Sequence, residues 1–334
     1  MISSFVTLLR REMWEQHSLR WMPLLLLLFV FLANLAVMYA AGGNDGFITI
    51  ETHGRDVSPA EIMDGYKQLG TERAESTQSE AWVKSRTIVK GVLYALAMII
   101  NTVLQVMMIF YLLDSLYGER KDYSILFWKS LPLSDTMIVL SKLAVAAILI
   151  PVISLVTIML AQVMTLALQS YTVADMTGSA SWLWQQAGLV DFWQAHLILL
   201  AEQSIWLFPV MGWLLLCSVW SRRSPFIPAI IIPLLLIFVD SGFRLDTNIS
   251  EILLERGPLG LFSNVGIDGL KELQSHGSIS VNADATDWWQ AIVEHGFAGF
   301  VDFLTRTKVW LGFIIGLVMV GLTIWLRRRQ GDNL

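Results

Sequence analysis

The chain has 334 residues, of which 55% are hydrophobic and only 15% charged, with a formal net charge of −5. A soluble domain carries about 25% charged residues, and a chain this apolar would expose too much hydrocarbon surface in water. Lipid is therefore the expected solvent, and the charge pattern holds no nucleic-acid signal.

A helix needs about 20 apolar residues to cross a hydrocarbon core, and stretches of that kind recur. Residues 1–20 precede the first. Ile2, Phe5, Val6, Leu9 and Met13 recur at helical spacing, while Arg10, Arg11, Glu12 and Glu15 fall mostly elsewhere. Such a helix lies flat in the inner interface, with Trp14 and Trp21 at headgroup depth. The first crossing is expected over 21–40, with Pro23 at its start, where a missing N–H costs little. Its apolar run is too long for a cleavable signal peptide.

Residues 41–87 read as an external helical segment. Ser58-Pro59-Ala60-Glu61 has the form of a capping box, Ile62, Tyr66 and Leu69 follow on one face, and Gly70 marks a break. A second helix is expected from about Thr77 into the second crossing, 88–113. Residues 114–137 form a cytoplasmic loop in which a charged quartet precedes a short hydrophobic stretch. Leu131-Pro132 ends that stretch, and Ser134 caps the third crossing, 138–168.

Residues 169–195 are external, with Trp182, Trp184 and Trp193 suited to the outer interface. The fourth crossing, 196–220, contains the single cysteine, Cys217. A tight turn at 221–225 ends in Ser224-Pro225, which starts the fifth helix, 226–239. That helix carries Pro228 and Pro233 and reaches only about 21 Å, so it is either re-entrant or completed after Asp240. Residues 240–308 make the largest external segment, and 309–326 the sixth crossing. In the latter, Gly312-x-x-x-Gly316 permits close helix approach, within the chain or at a dimer seam.

Charge gives the orientation. With the N-terminus inside, the inner pieces and helix ends hold 12 basic and 7 acidic residues, whereas 41–87, 169–195 and 240–307 hold 9 basic and 20 acidic. The positive-inside rule then places both termini in the cytoplasm. Arg327-Arg328-Arg329, opening the tail 327–334, reads as an anchor to anionic headgroups.

The chain contains no Gly-x-x-x-x-Gly-Lys-Ser/Thr, His-Glu-x-x-His, Cys-x-x-Cys or Gly-x-Ser-x-Gly motif. No catalytic set, metal site or cofactor is expected in it. An ionisable residue inside a crossing is a functional candidate by default. Glu202, beside Gln203 and near His196, fits that description, with a satisfied structural carboxylate as the plainer reading. Asn101 and Gln105 share a face of the second crossing, where interhelical hydrogen bonding is the plainer reading. Asn101, Gln105, Glu202 and Gln203 are the candidates for a translocation path.

Leu8-Leu9-Arg10-Arg11-Glu12-Met13-Trp14-Glu15 resembles the interfacial elbow helix of type-2 ABC exporter permeases. Gly118-Glu119-Arg120-Lys121-Asp122 through Ile125-Leu126-Phe127-Trp128-Lys129-Ser130-Leu131-Pro132 resembles the cytoplasmic loop between their second and third helices. The resemblance implies an all-α polytopic protein of six transmembrane helices in the bacterial inner membrane, paired with a second permease copy or paralogue. It also implies a separate ATP-binding-cassette subunit that binds ATP and Mg. Glu119, Arg120, Lys121, Asp122, Leu126 and Phe127 would then couple to that subunit. With only Asn34, Asn101, Gln105, Gln162, Glu202 and Gln203 as substantial polar groups in the crossings, an amphipathic, lipid-like or hydrophobic peptide substrate is easier to accommodate than an ion or sugar phosphate. The alternatives are a membrane-embedded enzyme and a non-transporting scaffold or sensor.

Overall fold

A computed structural model describes residues 2–42, 50–52, 55–57, 75–122, 134–177, 180–243, 253, 256 and 296–332. Apart from a two-stranded ribbon, the regular structure described is helical: α1 (Ile2–Glu15), α2 (His17–Gly42), α3 (Glu75–Lys121), α4 (Asp135–Ala144), a π-helical segment (Val145–Leu149), α5 (Ile150–Thr177), α6 (Ser181–Ala187), α7 (Leu189–Trp206), α8 (Phe208–Trp220), α9 (Phe226–Phe243), α10 (Gly296–Thr305) and α11 (Thr307–Asp332). The ribbon pairs β1 (Ile50–Thr52) with β2 (Arg55–Val57) antiparallel, Ile50 opposite Val57. It stands where an all-helical external segment is expected, and the β-branched Ile50, Thr52 and Val57 favour extended backbone there.

Four helical stretches are long and apolar enough to cross a membrane: His17–Tyr39, Val89–Lys121, Asp135–Thr172 and Thr307–Arg329. A fifth is the pair Leu183–Trp206 and Phe208–Trp220, if the two count as one span. The single crossing expected over 196–220 is thus bent, by 50° at Leu207. Pro209 lies in the first turn of α8, where its ring and missing N–H are tolerated but the incoming helix cannot run straight through. The apolar helix Phe226–Asp240 is shorter than the other spans.

The distribution of side chains is that of a multi-pass membrane protein. Leu24, Leu25, Leu28, Phe29 and Leu32 are exposed on α2, Ile230, Leu234, Leu235 and Phe238 on α9, and Leu311, Ile314, Ile315 and Val318 on α11. Several charged side chains are buried at the same time. Hydrocarbon outside and ion pairs inside is stable only where the surroundings are themselves apolar.

α3 is the central helix: α5 and α8 pack along it, α2 packs on α5, and α11 packs on α8. The closest of these contacts has a sequence cause. A Cβ on Gly212 would lie 2.9 Å from the carbonyl oxygen of Gly316, and one on Gly316 would lie 2.5 Å from Phe208 Cδ1. Gly316 therefore serves packing within the chain. Gly312, its companion in the motif, lies against the guanidinium of Arg256.

Several local expectations meet the structure in detail. Ser134 Oγ accepts from Met137 N–H and caps α4. α3 begins at Glu75, close to the expected Thr77, and continues unbroken into the second crossing. α2 begins at His17, so Pro23 lies inside the helix and Gln16 alone separates α1 from α2. Trp14 and Trp21 are exposed. Trp193 turns inward, its indole N–H donating to Gln162 Oε1 at 2.8 Å. The capping box at 58–61, Gly70, Leu126, Phe127 and Leu131-Pro132 lie outside the described residues.

Candidate functional site

Two polar assemblies interrupt the apolar core, one at the end of the bundle near Asp135 and one in its middle.

The end assembly is ionic. Lys142 of α4, only 2% exposed, places Nζ 3.0 Å from Glu12 Oε1 of α1 and 3.0 Å from Glu119 Oε1 of α3. Glu119 Oε2 lies 2.8 Å from the guanidinium of Arg327 on α11, whose Nε donates to Asp135 Oδ1 of α4 at 3.0 Å. Arg11 approaches Glu119 at 3.9 Å. The Tyr111 hydroxyl donates to Glu12 Oε2 at 3.0 Å. Three carboxylates thus face three cations, and four helices meet through them. Burying an ion is costly unless it is paired and hydrogen-bonded, and here each charge has an opposite neighbour.

The fold makes this convergence possible. Leu8, Leu9 and Glu12 share one face of α1, which packs on α4. The exposed side of α1 carries Val6, Met13 and Trp14. Glu119, Lys142 and Arg327 lie near the ends of three apolar spans and so reach the same level.

This placement corrects one expectation. Arg327 does not anchor to headgroups: it is 1% exposed and lies inside the protein. Arg328 donates to Thr136 Oγ1, and Arg329 stacks over Trp325. Glu119, expected to couple to the ATPase partner, is buried too. Arg120 donates to the carbonyls of Ser218 and Ser221 at 2.6 and 2.7 Å, clasping the turn between α8 and α9. The Tyr117 hydroxyl holds the same turn through the carbonyl of Arg223. Lys121 and Asp122 are exposed.

The middle assembly is neutral where its bonds are resolved. Asn101 Nδ2 donates to Gln203 Oε1 at 3.3 Å, and Ser154 Oγ donates to Asn101 Oδ1 at 3.4 Å. Three spans contribute one group each. Gln105, about one turn away on α3, is buried, and its Oε1 finds no hydrogen-bond partner among the described residues. Glu202 is buried but makes its own polar interaction. His196 is buried and stacks on Phe192 at 5.4 Å. Of the four path candidates, the hydrogen bonds join Asn101 and Gln203. Nearer the other end, Gln162 donates to the carbonyl of Leu93 at 3.0 Å. Asn34 donates to Thr165 Oγ1 at 3.1 Å and accepts from Gln169.

Gln162 is fully buried and serves both Leu93 and Trp193. Gln162→Leu is expected to orphan the indole N–H of Trp193, while the Leu93 carbonyl keeps its place in the helix, and to cost about 1–3 kcal/mol. SDS-titration unfolding in mixed micelles measures this, and a change under half a unit would show that water reaches the site.

Sequence reasoning missed Glu12, Tyr111, Lys142, Asp135 and Arg327 as a group. The signal was present: Glu119, Asp135, Lys142 and Arg327 lie near the ends of three apolar spans, two acids and two bases. Among the described residues, no three His, Cys, Asp or Glu side chains converge to hold a metal. No protein-family model, curated protein or solved structure matches the chain.

Proposed function

We propose that this chain is the membrane-spanning permease subunit of an ATP-driven exporter, working with a separate ATP-binding-cassette subunit that binds ATP and Mg. The observation that carries the reading is the ionic assembly. It fastens α1 to the ends of α3, α4 and α11, within a few residues of Asp122 and Ser134, the described positions that bound 123–133. A partner pressing there would act on four helices at once. The likeness of residues 8–15 and 118–132 to type-2 exporter permeases supports the same reading.

In this reading the chain crosses the bacterial cytoplasmic membrane six times, with the helix Phe226–Asp240 completing a crossing and both termini inside. A second permease copy or paralogue completes the transporter. The exposed Lys121 and Asp122, with Leu126 and Phe127, meet the ATPase, while Glu119 and Arg120 hold the platform behind them. The hydrogen-bonded amides of the middle assembly, within a mainly apolar core, suit an amphipathic or lipid-like cargo. A strongly charged solute would need a more polar lining.

The test is reconstitution. Purified with its ATP-binding-cassette partner into vesicles, the chain should raise ATP hydrolysis several-fold, and amphiphiles should raise it further. Lys121→Glu with Asp122→Lys, both exposed positions, should remove that stimulation without reducing insertion. A cysteine at 121 should react with an impermeant thiol reagent only in inverted vesicles. A purified chain that neither binds nor stimulates such an ATPase is not a permease of this kind.

A further inference from the structure

We propose that the π-helical segment Val145–Leu149, with Pro151, is a hinge through which α4 and the ionic assembly move relative to α5 and the middle assembly. The hinge operates whether or not an ATPase drives it, so its test does not depend on the exporter reading.

Each side of the segment is fastened by hydrogen bonds or ion pairs, whereas the segment itself is held by apolar packing alone, Val145 and Ala146 being fully buried. On one side, α4 is held by Lys142 to Glu12 and Glu119, by Asp135 to Arg327, and by Thr136 to Arg328. These bonds join α4 to α1, α3 and α11 as one block. On the other side, α5 is held by Gln162 to the Leu93 carbonyl and Trp193, and by Thr165 and Gln169 to Asn34. Those bonds join it to α2, α3 and α7. Between Lys142 and Ser154 every residue from Leu143 to Ile153 is apolar, so no side-chain hydrogen bond or ion pair can tie that stretch. Ala144, Ala146 and Ala147 keep its side chains small.

The backbone is weakened at the same place. The Val145 N–H is shared between the carbonyls of Ser141 and Lys142, and the Ile150 N–H reaches back five residues to the Val145 carbonyl. Pro151 has no N–H, so the Ala147 carbonyl loses its ordinary donor, and the ring crowds that carbonyl in a regular α-helix. The wider π turn relieves the crowding at the cost of helical regularity. Sharp changes of helix direction occur at such combinations.

What lies just beyond the hinge gives the motion a destination. Ser154 is the first polar side chain of α5, and its bond to Asn101 is long at 3.4 Å, as is that from Asn101 to Gln203 at 3.3 Å. Long neutral hydrogen bonds are weak. A change in the α4–α5 angle would break them before it broke the ionic block. From Lys142 to Ser154 the helix runs about 18 Å, so a small rotation at the charged end becomes a displacement at the middle assembly.

Spin-label distance measurements on the full chain in lipid nanodiscs test this. Labels at Leu140→Cys and Val156→Cys, both exposed, span the hinge. Labels at Val156→Cys and Tyr171→Cys span a similar length of α5 alone and serve as the control. Cys217, fully buried, is replaced by Ala in every sample. The pair across the hinge should give a distance distribution at least twice as wide as the control, and Pro151→Ala should narrow it towards the control. A hinge pair no wider than the control overturns the proposal, and that comparison needs no hinge variant to fold. A wide distribution that Pro151→Ala leaves unchanged overturns it as well.

Discussion

Lys142→Met is expected to destabilise the protein by about 3–5 kcal/mol, the usual cost of removing one partner from a buried ion pair. The cause is what it leaves behind. Glu12 and Glu119 both accept from Lys142 at 3.0 Å, and both are buried. Without the ammonium, two carboxylates face each other across an apolar gap, and Arg11 and Arg327 must neutralise three acids. Glu12→Gln combined with Lys142→Met restores the balance, with Glu119 still beside Arg327 at 2.8 Å. The double variant should therefore be more stable than Lys142→Met alone, a non-additivity expected only of groups in contact. SDS-titration unfolding midpoints in mixed micelles give both numbers. The exposed Arg222→Ala serves as the reference and should change little. If Lys142→Met unfolds with the reference, water already solvates the cluster and the four helices are not joined through it.

The second large effect concerns the α8–α11 seam. Gly212→Leu must place its side chain where Gly316 O, Gly316 Cα and Met319 Cβ already lie within 3.4 Å. Two of those three atoms are backbone and cannot swing aside, so the helices must part. Overpacking of this kind costs about 1–3 kcal/mol where side chains can adjust, and the upper end is expected here because they cannot. Gly321→Ala in the facing helix α11 meets nothing within 4 Å. It should be neutral or stabilising by up to about 1 kcal/mol, the helix-propensity difference between glycine and alanine. The pair also separates packing within the chain from packing between chains. Gly212→Leu should lower the unfolding midpoint without changing the mass of the detergent-solubilised particle. A changed mass with an unchanged midpoint would place the seam between copies.

The four long spans were legible because twenty-residue apolar runs have almost no other explanation in a chain this poor in charge. Caps were legible too: Ser134 lies one residue before α4 and bonds its third N–H as the pattern of serine before a helix suggests. The bend at Leu207 was less so. Pro209 announces it, but a proline near the middle of an apolar run is equally compatible with a kinked single span. The ionic assembly illustrates the larger difficulty. Glu12, Glu119, Lys142 and Arg327 are scattered along the chain, and each has an ordinary local reading as a flanking charge of a membrane helix. Only the pairing of α1 with α4 and of α11 with α8 brings them to one point, and helical periodicity carries no information about which helix packs on which. The same limit applies to Gln162 and Trp193, read separately as a polar group in a crossing and an interfacial aromatic.

The order in which the cluster is completed follows from the order of translation. Glu12, Glu119, Asp135 and Lys142 leave the ribosome well before Arg327, which follows Lys142 by 185 residues. At about 5–20 residues per second that interval is on the order of 10–40 seconds. Throughout it, Arg11 and Lys142 face three carboxylates, and the nascent bundle holds an acid with no cation of its own. Docking of the helix Thr307–Asp332 ends that imbalance. A chain stalled before residue 307 would hence remain open at its charged end, recognisable to membrane proteases by the very side chains that later become its best-protected ones.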